Sequence, residues 1–280
     1  IYIYMSDSFK NKKKRTQRKK KSTKRSTKRS TKSESEKQLK IKDIGVKNPY
    51  TGNNLKYYYR PGTSDDKVLT EIFTKEAYRK KKIDFDVSEG ETWIDIGGHI
   101  GLFSLYAISK GANKVYVYEA DPDNFKILKK NIKLNNLNNR VKCRRVAVVA
   151  DEDLGNKKSI DLWKSKNPSV NYRNTVVPKS RGIKITVPAC KFNSVVRDNK
   201  ADGMKIDIEG AEVPILTSTK SNYGNIHKLT FEFTLSSGKI KQMQRVLISK
   251  GFKIDIPPSI LKGHDGAWVD YVAHATKKIS

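Results

Sequence analysis

Three glycines and an acid occupy a short turn between a predicted strand and a predicted helix. The stretch WIDIGGHIG places Asp95 just before Gly97, Gly98 and Gly101. Glycines let the backbone pass close to a bound molecule, and open α/β sheets bind ligands at such strand-to-helix turns. The G-G-x-x-G spacing differs from the G-x-G-x-x-G dinucleotide fingerprint, and a carboxylate here would repel a pyrophosphate. The turn therefore favours a cofactor with a cationic amino-acid end, such as S-adenosylmethionine.

A second acid, Glu119, ends the next predicted strand, eighteen residues after Gly101. An acid at that position can accept hydrogen bonds from both hydroxyl groups of a ribose. The glycines alone would also suit an ordinary tight turn without a ligand. Because Asp95, the glycines and Glu119 stand together at the ends of successive strands, the combination favours a cofactor site. Trp93, in the first of these strands, is expected only to pack in the core.

A third group of charged residues lies in the stretch MKIDIEGAE. Side chains of a strand alternate between its faces, so Lys205 and Asp207 share one face, and Met204 and Ile206 share the other. Charged residues are rarely buried in a central strand unless they are paired or functional. One interpretation is a structural ion pair between Lys205 and a carboxylate. The interpretation that we favour places Lys205, Asp207 and Glu209 at the carboxyl end of the strand, facing the cofactor cleft.

The composition changes at about residue 41, and from there predicted strands and helices alternate along the chain. Apolar spacing predicts helices over 66–82, 100–110, from 121 to beyond 132, and over about 240–250. Strands are predicted over 55–60, 92–96, 114–118, 140–149, 204–208, 228–233, 252–256 and 267–275. Residues 151–199 show several β-rich pieces and no convincing helix. The alternation predicts an α/β fold with a doubly wound, mostly parallel sheet, and the closely spaced last strands predict an antiparallel edge strand.

The chain of 280 residues is strongly basic, with 58 Lys and Arg against 29 Asp and Glu and a net charge of +29. Residues 1–40 hold sixteen basic and three acidic residues, and they have too few apolar residues to order themselves. We predict a disordered basic tail over 1–40, a lead-in strand and helix over 41–83, and a cofactor-binding domain over 84–280. The tail either acts as an arm for nucleic acid, an anionic surface or nuclear import, or is solvated without a specific partner.

The composition also excludes some classes of protein. No run of about eighteen apolar residues exists, which excludes a membrane-spanning helix. Cys143 and Cys190 cannot form a disulfide framework and favour a reducing, intracellular compartment, either cytoplasm or nucleus. The N-terminus lacks the apolar region of a secretory signal, and either Met5 is the start residue or the sequence is a fragment. Neither the four histidines nor the two cysteines have the spacing of metal ligands, so no metal site is predicted.

Together these motifs resemble the FkbM-type methyltransferases, within the class I S-adenosylmethionine-dependent enzymes. The resemblance rests on WIDIGGHIG, YEADPDNFKILKKNIKLNN and KIDIEGAE, and it extends from about residue 64 to the C-terminus. It implies a seven-stranded Rossmann-like sheet, S-adenosyl-L-methionine as cofactor, and methyl transfer, usually to a hydroxyl oxygen. The cofactor contacts implied by the resemblance are Asp95, Gly97, Gly98, His99, Gly101, Glu119, Ala120 and Asp207.

A hydroxyl acceptor must lose its proton during or near the transfer, and a carboxylate within hydrogen-bond reach could take that proton. Asp207 is the first candidate for this base and Glu209 the second, while Lys205 could orient the acceptor or hold the carboxylate ionised. Glu232, at the end of another predicted strand, is a further candidate in the cleft.

Two classes of function remain open at the level of sequence. The resemblance favours a sugar, a glycan or another small hydroxyl compound as methyl acceptor, whereas the positive charge favours an anionic acceptor such as the 2′-hydroxyl of RNA. The alternative from another class is a nucleic-acid-binding protein that uses the basic tail and has a degenerate cofactor domain. The sequence has no signal for an oligomeric state.

Overall fold

The structure is a computed structural model that describes residues 39–167, 174–178, 182–235, 237–256 and 269–278. The predicted disordered tail lies outside the described residues, apart from its last two positions. The first two residues of the strand predicted nearest the C-terminus also lie outside them.

Twelve strands and seven α-helices make up the described part of the chain. The strands are β1 (Lys40–Lys47), β2 (Asn54–Tyr59), β3 (Thr92–Ile96), β4 (Lys114–Tyr118), β5 (Val141–Arg144), β6 (Ala147–Val149), β7 (Ser159–Lys164), β8 (Ile183–Lys191), β9 (Gly203–Ile206), β10 (Lys228–Leu235), β11 (Lys253–Asp255) and β12 (Val269–Thr276). The helices are α1 (Asp65–Leu69), α2 (Leu102–Ser109), α3 (Pro122–Leu134), α4 (Asp151–Leu154), α5 (Phe192–Asn199), α6 (Glu212–Thr217) and α7 (Ser237–Ser249). A π-helical turn (Thr70–Thr74) follows α1, and a 3₁₀ turn (Lys81–Ile83) precedes β3.

Seven strands form one central sheet in the order β11-β12-β10-β9-β3-β4-β5. The neighbours from β10 to β5 pair in parallel, and β12 pairs antiparallel with both β10 and β11. The predicted antiparallel strand is therefore β12, one place in from the edge strand β11. The chain builds β3, β4 and β5 in one direction and then crosses to β9 on the other side of β3. This reversal is a topological switch point, where open α/β sheets bind ligands.

The central sheet buries an apolar core on each of its two faces. Along β3, Ile94 and Ile96 contribute to one core and Trp93 to the other. Side chains of α5, α6 and α7 complete the first core, and side chains of α2 and α3 complete the second. Because both faces are covered, the parallel strands are apolar along most of their length. The predicted α/β, doubly wound and mostly parallel seven-stranded sheet is confirmed.

Asparagine side chains of α3 fasten the β1–β2 hairpin to the domain. Asn131 accepts the backbone N–H of Tyr58 at 2.5 Å and donates to the Tyr58 carbonyl at 3.2 Å. Asn135 makes the same pair of bonds with Lys56, at 2.9 and 2.7 Å. The two side-chain amides thus form hydrogen bonds with the backbone N–H and C=O groups on the edge of β2, as a neighbouring strand would. Side chains of β2 also pack in the second core. The predicted boundary between the lead-in and the domain stays a prediction.

Three predicted elements differ from the structure. The helix predicted over 66–82 is limited to α1 and two short turns, because the chain turns at Glu76 (φ +49°) and buries Tyr78. The strand predicted over 140–149 is two strands, since β5 belongs to the central sheet and β6 belongs to a separate sheet with β8 and β7. The prediction of no helix within 151–199 is wrong, because α4 and α5 lie there.

Candidate functional site

A cavity of about 600 Å³ opens at the switch point, beside the carboxyl ends of β3, β4 and β9. Its wall includes the glycine turn after β3, the residues that follow β4, and the residues that follow β9. The lead-in contributes side chains between residues 66 and 78, and residues 174–176 form a further part of the wall. Cavities of about 300–1,000 Å³ are typical of small-molecule and cofactor sites.

Glycine is required at two positions of the turn after β3. Gly97 has a φ of +84°, and a Cβ atom there would overlap the backbone carbonyl of Asp207. A Cβ atom at Gly98 would overlap the side chain of Val117. The N–H groups of both glycines donate to the carbonyl of Tyr118, at 2.9 and 3.1 Å, which holds the turn against the end of β4. The bare backbone of the turn therefore forms part of the cavity wall.

The carboxylate of Glu119 lies just after β4 and lines the cavity. Its two oxygens accept the backbone N–H groups of His99 and Asp121, each at 2.7 Å. Burial, reinforced by the negative charge of Asp121, raises the pKa of Glu119 to about 8. Each carboxylate oxygen retains a second lone pair, so Glu119 can still accept hydrogen bonds from a ligand.

The imidazole of His99 connects the glycine turn to the lead-in. Its Nε2 atom lies 3.4 Å from Asp65 Oδ1 and 3.3 Å from Arg60 Nη2. Arg60 binds Asp65 through two nitrogens, at 3.0 and 2.9 Å, and donates to Asn124 at 2.8 Å. Burial lowers the pKa of His99 to about 4, so the ring is neutral at neutral pH. The sequence does not predict this network, because no local pattern pairs residues so far apart in the chain.

Lys205 is the charged centre of the site. It pairs in register with Asp95 across β3 and β9, and its Nζ atom lies 3.4 Å from Asp95 Oδ1. The same nitrogen lies 3.3 Å from Asp207 Oδ2 and donates to the carbonyl of Gly97 at 2.8 Å. Burial alone would lower the pKa of Lys205, but the charges of Asp207 and Asp95 outweigh it and raise the pKa. Lys205 is thus both ion-paired and part of the cavity wall.

Asp95 is fully buried behind that wall. Its Oδ2 atom accepts a hydrogen bond from the hydroxyl of Ser104 at 2.9 Å. Burial raises the pKa of Asp95. Gly101 also lies behind the wall, where its N–H donates to the carbonyl of Gly98 at 2.7 Å at the start of α2. The sequence predicts Asp95 and Gly101 as cofactor contacts. Neither residue lines the cavity, and their contact with a cofactor stays a prediction.

Asp207 follows β9 and lines the cavity, with its side chain 24% exposed. Its backbone N–H donates to the carbonyl of Ile96 at 3.0 Å, which extends the pairing of β9 with β3 by one residue. The hydroxyl of Tyr78 donates to Asp207 Oδ2 at 3.1 Å. Burial and the charge of Asp207 raise the pKa of Tyr78 well above its ordinary value, so the phenol stays a donor. The sequence does not predict Tyr78 as a site residue, because Tyr78 falls within the helix predicted over 66–82, where an aromatic residue is expected to pack in the core.

The cavity wall brings together eight of the ten predicted site residues, namely Gly97, Gly98, His99, Glu119, Ala120, Lys205, Asp207 and Glu209. Glu232, the further candidate, lines the same cavity from β10. Which of these residues contact a cofactor or an acceptor stays a prediction. Within the described ranges, no group of three His, Cys, Asp or Glu side chains is placed to hold a metal ion. No helix in the described part of the chain is long and apolar enough to cross a membrane.

Comparison with known proteins identifies one family. The family model described as "Methyltransferase FkbM domain" matches residues 95–254. No curated protein sequence matches the chain.

Several solved structures are similar to the chain at low sequence identity. Precorrin-6y C5,15-methyltransferase from Geobacter metallireducens GS-15 is 10% identical with a TM-score of 0.41, and the alignment covers 79% of this chain and 93% of that chain. TYW2 from P. horikoshii, in complex with MeSAdo, is 15% identical with a TM-score of 0.37, and the coverage is 81% and 70%. Ribosomal protein L11 methylase from Lactobacillus delbrueckii subsp. bulgaricus is 13% identical with a TM-score of 0.36, and the coverage is 68% and 72%.

Proposed function

Because the chain belongs to the FkbM methyltransferase family, whose methyl donor is S-adenosyl-L-methionine, we propose that it methylates a hydroxyl oxygen on a sugar, a glycan or another small molecule. The proposal rests on the position of Asp207, a partly exposed carboxylate in the cavity beside the glycine turn. A hydroxyl acceptor must release its proton during or near the transfer, and a carboxylate in that position can receive it.

The chemistry of the cavity wall suits S-adenosyl-L-methionine. The carboxylate of Glu119 can accept hydrogen bonds from the ribose hydroxyls, and the side chains of Val148 and Leu162 offer apolar surface for the adenine. The backbone of the glycine turn, with His99 and Ala120, completes the set of proposed cofactor contacts. When bound, the cofactor supplies a methyl group that a sulfonium charge has already activated.

The protein's own residues position the acceptor and receive its proton. Asp207 is the proposed general base, and Glu209 is the second candidate on the same wall. The Lys205 ammonium fixes the Asp207 carboxylate through the ion pair of 3.3 Å, and Asp95 fixes Lys205 from behind. Alignment and the exclusion of water account for most of the remaining rate enhancement in such a transfer.

The charged groups of the cavity favour an acceptor with several hydroxyl groups. Besides the proposed base, the carboxylates of Glu71, Glu209 and Glu232 line the cavity, and each can accept hydrogen bonds from hydroxyl groups. The exposed ammonium groups of Lys67 and Lys75 also belong to the wall and can donate to sugar oxygens or to an anionic substituent.

Calorimetric titration with S-adenosyl-L-methionine and a radiolabelled methyl-transfer screen over mono- and oligosaccharides test the proposal. Asp207→Asn is expected to lower turnover by about 10²- to 10⁴-fold, the usual contribution of a general base, without a comparable loss of cofactor affinity. Asp198→Asn, on the exposed side of α5, is the matched control. Turnover of Asp207→Asn at the wild-type rate would remove Asp207 as the base, and wild-type protein that binds no cofactor would contradict the enzyme proposal itself.

An RNA acceptor is the second candidate, and it is favoured by exposed cations on α3 and β5. The exposed residues are Lys126, Lys129 and Lys133 on α3, Lys142 and Arg144 on β5, and Arg145 directly after β5. Such a surface can bind phosphate groups together with the basic tail. The screen therefore includes RNA, and methylation of RNA without methylation of any saccharide would replace the first candidate by the second.

A further inference from the structure

We infer that Tyr78 is a positioning residue of the methyl-transfer site. Its hydroxyl holds the Asp207 carboxylate through a hydrogen bond to Oδ2, and this leaves Oδ1 to face the acceptor. The inference rests on the proposed function, since it takes Asp207 as the base. It extends the site beyond the part of the chain that matches the family model, because Tyr78 lies in the lead-in and the match begins at residue 95.

Two protein donors reach the same oxygen of Asp207. The Tyr78 hydroxyl lies 3.1 Å from Oδ2, and the Lys205 ammonium lies 3.3 Å from the same atom. No donor among the described residues forms a hydrogen bond with Oδ1. A carboxylate that is held on one oxygen has its other oxygen, with both lone pairs, available for a hydroxyl group in the cavity.

The ring of Tyr78 is fixed before any ligand binds. The residue is 5% exposed, and its ring packs edge-on against Phe103 of α2, with 5.3 Å between the ring centroids. The Lys205 ammonium lies 5.6 Å from the Tyr78 ring centroid, which adds a cation–π attraction. A side chain locked in this way orients its hydrogen-bond partner without a further loss of rotamer freedom. Tyr78 therefore has the rigidity that a positioning residue requires.

Tyr106 provides a matched control for Tyr78. Its hydroxyl donates to the carboxylate of Asp86 at 2.7 Å, and its ring is buried next to Phe103. Neither Tyr106 nor Asp86 lines the cavity. The substitution Tyr106→Phe therefore removes a tyrosine–carboxylate hydrogen bond of the same kind, outside the site.

Infrared difference spectra of the full-length protein, labelled with ¹³C-aspartate, test the inference. Tyr78→Phe is expected to shift the antisymmetric carboxylate stretch of one aspartate, because that carboxylate loses a hydrogen-bond donor. The shift should vanish when Tyr78→Phe is introduced into Asp207→Asn protein. Tyr106→Phe should produce a shift that survives in the Asp207→Asn background, since it arises from Asp86. Calorimetry should show that Tyr78→Phe still binds S-adenosyl-L-methionine.

Each result separates the inference from the proposed function. No spectral shift in Tyr78→Phe, or a shift that persists in Asp207→Asn protein, overturns the inference and leaves the proposed function standing. Wild-type protein that binds no S-adenosyl-L-methionine overturns the proposed function, while the spectra still report on the hydrogen bond.

If Tyr78→Phe does not fold, 3-fluorotyrosine incorporated at position 78 replaces it. Its ¹⁹F resonance should move in Asp207→Asn and stay in place in Asp86→Asn, and the reverse pattern overturns the inference.

Discussion

The acids in and behind the cavity wall differ in how their charge is compensated. Asp95 and Asp207 share the Lys205 ammonium, at 3.4 and 3.3 Å. Glu119 instead receives two backbone N–H groups. Burial and the negative charge of Asp121 outweigh these two hydrogen bonds, and they raise the pKa of Glu119 to about 8. The proposed ribose contact therefore changes its charge within an experimentally accessible range of pH.

We expect the affinity for S-adenosyl-L-methionine to rise with pH through about 8, because the ionised Glu119 carboxylate accepts hydroxyl protons better than the neutral acid. Glu119→Gln should remove this rise and weaken binding by about tenfold on the alkaline side, which corresponds to about 1.5 kcal/mol for hydrogen bonds to a charged group. The measurement is calorimetric titration from about pH 7 to about pH 9.

The comparison of Glu119→Gln with wild type separates the titration of Glu119 from the titration of the ligand's amino group, because the amino group titrates with both proteins. Glu89→Gln, on the exposed surface, controls for the loss of a negative charge as such. Identical pH dependence in wild type and Glu119→Gln would exclude Glu119 as the titrating group.

At the scale of elements, periodicity predicts the central βαβ units and fails where the lead-in meets the domain. The strands β3, β4 and β9 are short segments of mostly apolar residues between turn signals, so local sequence is sufficient to place them. The spacing over 66–82 also suits a helix, but tertiary contacts override it, because Tyr78 turns toward Asp207. In α5, Phe192 and Val195 do have helical spacing, yet the β-branched residues of this segment are equally typical of a strand.

The residues of the candidate site likewise divide into those that local sequence predicts and those that depend on tertiary packing. Gly97, Glu119 and Asp207 could be predicted because each stands at the end of a strand that local sequence defines, and parallel strands bring their carboxyl ends to one edge. The bond from Tyr78 and the network around Arg60 could not be predicted, since they depend on how the lead-in packs against the domain. The burial of Asp95 behind Lys205 likewise depends on the register between β3 and β9.

The contact between α3 and β2 makes a prediction about the stability of the lead-in. Asn131→Ala should lower the free energy of unfolding by about 2–4 kcal/mol, because it leaves the backbone groups of Tyr58 and the Ile100 carbonyl without the bonds that Asn131 provides. Urea unfolding measures this loss, and hydrogen exchange should show faster exchange of the Tyr58 amide. Asn138→Ala, at an exposed position after α3, should cost less than about 0.5 kcal/mol. Equal losses in the two variants would contradict the anchoring role of Asn131.

At the scale of the whole molecule, nearly half of the net positive charge lies outside the part of the chain that forms the cavity. Residues 1–40 contribute +13 of the net charge of +29 in a seventh of the length. The cavity wall is formed by residues between Asp66 and Glu232, and the side chains proposed for chemistry there are mainly acids. We therefore expect the tail to affect which partners the protein binds, and the cavity to determine its reaction.

This separation predicts that removal of residues 1–37 leaves the affinity for S-adenosyl-L-methionine unchanged, because no residue of the cavity wall is removed. The same deletion should weaken binding to single-stranded RNA at low salt, since it removes fifteen Lys and Arg residues. The slope of log K against log salt concentration should become shallower, by about 0.7 for each phosphate contact that is lost.

A full-length variant with these cations replaced by Ser keeps the length of the tail and isolates the effect of charge. An unchanged slope in both altered proteins would assign RNA binding to the domain surface, and a loss of cofactor affinity would show that the tail contributes to the site.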